Sequence, residues 1–138
     1  MDYLLETSTC SRLMAHDRQV VAHFNALSDD ENYVFTCAIV RGEVLFGIER
    51  LPIGRRRQSL EDQAVNLLAG LPCEAIPEEA GDYYAQIKHA AERQGTPLSD
   101  NDLWIAATAL ALDAILVTSD GDFQRITGLG LHLEDWTK

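Results

Sequence analysis

Three features of the 138-residue chain predict an α/β fold with a central, mainly parallel sheet flanked by helices. Short β-like runs alternate with helical stretches, the pattern of parallel strands joined through helices. Ile115-Leu116-Val117-Thr118 is a continuous apolar run, as expected of a parallel strand covered on both faces. Leu103 to Leu112 is apolar all round and rich in alanine, the composition of a helix buried between layers. The length suits one domain, large enough to hold a core without metal or disulfide staples.

The elements follow in order. Tyr3-Leu4-Leu5 is an apolar start too short to classify by itself. Helices are expected over about 9–15 and 17–27; in the second, Val20, Val21, Phe24 and Leu27 recur every three or four residues. Asp29-Asp30-Glu31-Asn32 reads as an acidic turn, and the aromatic, β-branched Tyr33-Val34-Phe35-Thr36 as a strand. Helix returns over about 40–50 and breaks at Arg50-Leu51-Pro52-Ile53-Gly54. The next helix, about 55–69, repeats Leu60, Ala64, Leu67 and Leu68 and stops near Gly70 and Pro72. Cys73-Glu74-Ala75-Ile76 is a short strand candidate. Pro77-Glu78-Glu79 opens a helix with proline and acids in its first turn; it runs to about Gln94, and Gly95 ends it. After the 115–118 strand come a turn, a short helix near Phe123-Gln124-Arg125, and a last strand at Leu131-His132-Leu133.

Twenty-two acidic residues face 11 basic ones, a net charge of -11. That excess opposes non-specific adhesion to nucleic acid or anionic lipid. It leaves room for a local basic patch and suits a protein that gathers carboxylates around divalent cations. Cys10, Cys37 and Cys73 are odd in number and widely spaced, with no CxxC, so neither a zinc cage nor a disulfide framework follows. Reduced, buried thiols in a cytoplasmic protein are expected. No apolar run approaches a membrane span, and Met1-Asp2-Tyr3 does not open a secretory signal. No P-loop appears, and no D-x-D nucleophile motif follows the first strand, which disfavours a small phosphatase.

Four acids stand out by position. Glu6 ends the first strand, Glu43 lies in the helix after the second, Asp102 opens the buried helix, and Asp120 follows the 115–118 strand by two residues. In open parallel sheets, ligands gather outside the carboxyl ends of the strands, where Glu6 and Asp120 fall. Each acid also has a structural explanation. Asp102 completes a capping box with Ser99, Asp120 sits in a turn that favours aspartate, and Glu43 fits a solvated helix face. Glu6, directly after an apolar strand, is hardest to explain this way. Clustered carboxylates repel one another unless a cation neutralises them. Oxygen ligands without histidine point to Mg²⁺ or Mn²⁺ rather than zinc.

The ordered motifs resemble those of PIN-domain ribonucleases. Leu4-Leu5-Glu6-Thr7-Ser8 resembles the strand-end D-T-N motif, and Val40-Arg41-Gly42-Glu43-Val44-Leu45-Phe46-Gly47 the helix with an embedded glutamate and a following aromatic-glycine. Asn101-Asp102-Leu103-Trp104-Ile105-Ala106-Ala107 resembles the (N)D-x-x-I-A-A signature, and Leu116 to Phe123 the V-T-x-D-x-D-F segment. The tail from Gly128-Leu129 to Glu134-Asp135-Trp136 is similar as well. The match spans essentially the whole chain, so a single PIN-like domain over 1–138 is expected. The nearest group is the VapC-type toxins of bacterial toxin–antitoxin modules.

That resemblance implies metal-dependent hydrolysis of phosphodiester bonds in RNA, typically structured RNA such as transfer RNA. It implies Glu6, Asp102 and Asp120 as Mg²⁺ or Mn²⁺ ligands, and Glu43 as a ligand through water or a positioner of the nucleophile. Asp122 is a secondary candidate. Thr7 or Ser8 would donate to a carboxylate or phosphate, with helix capping an equal alternative. A VapB-type antitoxin and homodimer formation through apolar residues of the helices at about 40–50 and 60–69 are implied too. Two departures stand out: Glu6 replaces the family's aspartate, and Ser8 its asparagine. A misplaced carboxylate, shifted by about 1 Å, costs on the order of 100-fold in rate, so a catalytically weakened or inactive PIN-like binding module is the alternative.

Arg50, Arg55, Arg56 and Arg57 place four of the 11 cations within eight residues, a cluster suited to RNA phosphates or a partner, or to a solvated helix start. Trp104 is assigned to the core, and Trp136 is left open between core and base stacking.

Overall fold

A computed structural model describes residues 1–27 and 30–138. Asp29 of the expected acidic turn lies outside the described residues. The order is β1 (Asp2–Leu5), α1 (Thr7–Met14), α2 (Arg18–Ala26), β2 (Tyr33–Cys37), α3 (Ala38–Glu49), α4 (Arg55–Ala69), β3 (Cys73–Glu74), α5 (Glu79–Gln94), α6 (Asp100–Ala111), β4 (Ile115–Val117), a 3-10 helix (Gly121–Arg125) and β5 (Leu133–Glu134).

The five strands form one sheet in the order β3-β2-β1-β4-β5, and every pairing is parallel. β1 is central. Its Leu4 lies opposite Phe35 of β2 on one side and Leu116 of β4 on the other. The chain leaves β1 toward β2 and later returns to β4 on β1's other flank. That reversal opens a crevice at the carboxyl ends of β1 and β4, the usual place for a ligand in such sheets.

The central strands read as apolar because both faces are covered. Leu4, Leu5, Leu116 and Val117 are fully buried, as are Ile105, Ala106, Ala107 and Ala109 of α6. The alanines let α6 approach the sheet and α5 closely. Each large side chain buried in this way contributes about 1.5–3 kcal/mol. One such anchor, Phe123, lies in the 3-10 helix and pins the turn that carries Asp120 and Asp122.

Local chemistry sets the boundaries. α1 starts at Thr7, two residues earlier than the periodicity suggests, because the Glu6 side chain caps it by accepting from the Ser8 amide. Asp17 and Ser99 cap α2 and α6 in the same way. Gly95 takes the left-handed conformation (φ 70°) that ends α5. β3 keeps two residues because it pairs only with the end of β2 before Pro77 turns the chain away. β5 lies at Leu133–Glu134, later than expected, in register with Leu116 and Val117. Cys10 and Cys37 are buried as expected, but Cys73 is exposed, a correction that follows from its place on edge strand β3. Trp104 stacks on Tyr84 at 4.1 Å, and Trp136 is buried with its ring stacked on His23. Among the described residues no helix is long and apolar enough to cross a membrane.

Candidate active site

The site begins where β1 stops. The Glu6 amide donates to the Val117 carbonyl (3.0 Å), which joins the ends of β1 and β4. The Glu6 side chain is almost buried, at 5% exposure. Its Oε1 accepts three hydrogen bonds: from the Ser8 amide (3.0 Å), the Ser8 hydroxyl (2.5 Å) and the Thr118 hydroxyl (2.6 Å). The same hydroxyls reach onward. Ser8 Oγ accepts from the Ser119 amide (3.0 Å) and Thr118 Oγ1 from the Asp120 amide (3.0 Å). Glu6 and the turn bearing Asp120 are therefore parts of one hydrogen-bonded network.

Thr7 and Ser8 divide their work. Ser8 holds Glu6, while the Thr7 hydroxyl donates to Glu43 Oε1 at 2.5 Å. Asn101 Nδ2 donates to Glu43 Oε2 at 3.3 Å. Glu43 is thus half-buried and held at both oxygens, rather than a solvated helix residue. Asn101 and Thr118 were not singled out in the sequence. Each adjoins a motif acid, and only tertiary contacts reveal which acid each one holds.

Asp102 sits in the first turn of α6, where its amide donates to the Ser99 hydroxyl (3.2 Å), as the capping box requires. Burial pushes its carboxyl up to about 6. The Ser99 hydrogen bond opposes that rise, and the charges of Asp120, Glu43 and Glu6 add to it. The other three expected acids therefore all bear on Asp102. Asp120 caps the 3-10 helix, its Oδ1 accepting from the Asp122 amide at 2.9 Å. Asp102, Asp120 and Asp122 each offer an oxygen, and these oxygens lie within 4.8 Å of one another. Asp122 belongs to this tight set; Glu6 and Glu43 stand beside it on their own hydrogen bonds. Arg125 pairs with Asp122 (3.2 Å) and offsets one charge. Cys10 lies close enough to feel Glu6, but burial first, and then that charge, push its thiol up to about 12, so it is no nucleophile at neutral pH.

A cleft of about 580 Å³ adjoins the acids on the α3 side, lined by Thr7, Gly42, Glu43, Phe46, Arg50 and Asn101 among others. The four arginines of the 50–57 segment have different fates. Arg57 is engaged with Glu61 (2.8 Å), Glu49 (3.1 Å) and the carbonyls of Glu49 and Leu51, closing the turn between α3 and α4. Arg50 lies over the Phe46 ring, 5.7 Å from its centroid. Arg55 and Arg56 are exposed at the start of α4.

The PIN domain profile matches residues 3–129. Ribonuclease VapC1 of Haemophilus influenzae (strain R2866) is 33% identical over 144 residues, with 100% of each chain covered. Ribonuclease VapC2 of Rickettsia felis is 29% identical over 141 residues, again with 100% of each covered. Among solved structures, VapBC2 from Rickettsia felis bound to a DNA fragment from its promoter superposes with a TM-score of 0.86 at 26% identity, over 99% of each chain. VapBC-1 from nontypeable Haemophilus influenzae gives 0.84 at 29% identity over 100% of each. The parallel α/β architecture and the ordered motifs thus have one common explanation: the chain belongs to the PIN domain family.

Proposed function

We propose that this chain is a Mg²⁺- or Mn²⁺-dependent endoribonuclease that hydrolyses phosphodiester bonds in structured RNA, transfer RNA among them, as the toxin half of a toxin–antitoxin pair. The observation that carries the proposal is the convergence of acids from four separate segments on one crevice. The relatives named ribonuclease VapC support the reaction class, and the similar VapBC structures support a VapB-type antitoxin as partner.

The donor set fits a hard divalent cation: three carboxylates in mutual reach, oxygen donors throughout, and burial that makes the charge of Asp102 costly. Asp102, Asp120 and Glu6 would hold the ion, with Asp122 in reach and Glu43 acting directly or through water. When bound, such an ion polarises the scissile phosphate and makes water a better nucleophile. The protein's own groups supply position. Ser8 and Thr118 fix Oε1 of Glu6, and no hydrogen bond occupies its Oε2 among the described residues. Thr7 and Asn101 fix Glu43, which would orient a water and accept its proton. Arg50, Arg55 and Arg56 offer an acidic protein its local attraction for phosphates. Pairing as a homodimer would use apolar residues of α3 and α4, such as the exposed Leu45 and Val65.

The extra methylene of Glu6 is accommodated by Ser8 and Thr118, which meet its carboxylate where it lies. A binding module without turnover is not favoured by relatives that carry ribonuclease names. The deciding experiment incubates the purified chain with transfer RNA and Mn²⁺, with and without chelator. Chelator-sensitive cleavage, lost in Asp102→Asn, is expected. Intact RNA with both the parent and Glu6→Asp would overturn the proposal.

A further inference from the structure

We infer that Phe46 and Arg50 form a nucleotide platform, taking one unpaired base of the RNA on the open face of the Phe46 ring and an adjacent phosphate on the Arg50 guanidinium. The inference rests on the ribonuclease reading and deepens it by naming what lies beside the cut. Phe46 is 65% exposed, the most exposed aromatic ring among the described residues, although it stands in the interior of a helix. Core packing does not account for it.

Its position relative to the acids is fixed by helix geometry. Glu43, Phe46 and Arg50 fall at i, i+3 and i+7, on one face of α3. At 1.5 Å per residue, Phe46 stands about 4.5 Å and Arg50 about 10.5 Å along the axis from Glu43. All three line the same cleft, with the Asn101 amide and the Thr7 hydroxyl at its acidic end. A strand whose phosphate sits at the carboxylates therefore passes over Phe46 next.

Two further observations point to an open floor that takes a ligand. Gly42 and Gly47 also line the cleft, and a Cβ built at either would meet nothing within 4 Å. Glycine inside a helix weakens it, and no close packing demands it here. The two glycines keep the space around Phe46 clear. Among the described residues Arg50 forms no ion pair and has the Phe46 ring as its neighbour. A guanidinium over an aromatic face, with no acid attached, complements a base with its phosphate. A basic peptide, drawn to the carboxylates, would meet Arg50 at the other end of the cleft. Paired bases hide their faces in the stack, so the ligand is an unpaired nucleotide, as in a loop.

The test uses the full chain carrying Asp102→Asn, expected to hold RNA without cutting it, and an RNA hairpin with 2-aminopurine in its loop. Stacking on Phe46 quenches the probe. Phe46→Ala is expected to lose the quench and to weaken binding on the order of tenfold, and Phe46→Tyr to restore both. Arg50→Ala is expected to weaken binding and lower the salt slope by about one ion. Ile76→Ala, exposed beside edge strand β3 and outside the cleft, is expected to change neither. In the active chain, Phe46→Ala should raise KM far more than it lowers kcat. Unchanged quench and affinity in Phe46→Ala would overturn the platform. So would a change confined to oligomeric state or to antitoxin binding, since that would give the face to a protein partner. A parent that quenches the probe but never cleaves RNA would sink the ribonuclease reading and leave the platform standing.

Discussion

Thr118→Val tests the network that holds Glu6. Valine keeps the shape of threonine but removes a hydroxyl that donates to Glu6 Oε1 at 2.6 Å and accepts from the Asp120 amide at 3.0 Å. A hydrogen bond to a carboxylate contributes about 1.5–3 kcal/mol, and a neutral one about 1 kcal/mol. Thr118 is only 5% exposed, so water does not replace the lost partner. Ser8 still provides two donors to Glu6, which softens the loss. The expected destabilisation is therefore about 2–3 kcal/mol. For a domain of this length that corresponds to a fall in Tm of roughly 8–12 °C. Glu6 and the Asp120 turn would also drift apart, and a displacement of about 1 Å costs on the order of 100-fold in turnover. Urea unfolding followed by circular dichroism gives the first quantity, and RNA cleavage in Mn²⁺ the second. Thr118→Ser, which retains the hydroxyl, should recover most of both. A cycle with Ser8→Ala should show coupling, since both hydroxyls meet at one oxygen. A valine variant within about 0.5 kcal/mol of the parent, with unchanged turnover, would refute the reasoning.

Other outcomes follow from single features. Asp102 has a carboxyl pushed from 3.8 up to about 6, so the folded state keeps a proton that the unfolded chain has already released. Stability should therefore fall as pH rises from about 4 to about 6, and Asp102→Asn should flatten that part of the profile in a pH series of urea titrations. The same titration predicts that Mn²⁺ binding tightens as pH rises through about 6, since the ion competes with the proton; calorimetry checks this. Phe123→Ala should cost about 3–5 kcal/mol and disorder the Asp120–Asp122 turn, visible as lost Mn²⁺ affinity even where the fold survives. Gly95→Ala forces a side chain into the left-handed region at φ 70° and should cost about 1–2 kcal/mol in thermal unfolding without touching RNA cleavage.

Much of this architecture is legible along the chain, for identifiable reasons. β4 and α6 declare themselves because burial on all sides leaves no polar position to blur the pattern. The Ser99–Asp102 cap is a local signal and survives folding unchanged. Acids at strand ends are legible because a parallel sheet directs those ends to one edge. What the sequence hides is pairwise. Nothing local says that Ser8 turns to Glu6 while its neighbour Thr7 turns to Glu43, or that Asn101 reaches Glu43 across 58 positions. Arg57 looks identical to Arg55 and Arg56, yet it alone folds back onto Glu49 and Glu61. The short strands β3 and β5 are set by register with longer neighbours, so their limits cannot be read from their own residues. Phe46 reads as an ordinary apolar helix residue until its exposure is known.

Acids distant in sequence would together form one divalent-cation site at the carboxyl ends of β1 and β4. Anomalous diffraction from crystals soaked in Mn²⁺ shows whether an ion sits there. A peak bound by Asp102 and Asp120, with Glu6 or Asp122 completing the oxygen shell, is expected, and no such peak in Asp102→Asn. Saturating Mn²⁺ with no density among these carboxylates, or an ion bound elsewhere while RNA is still cut, would contradict it.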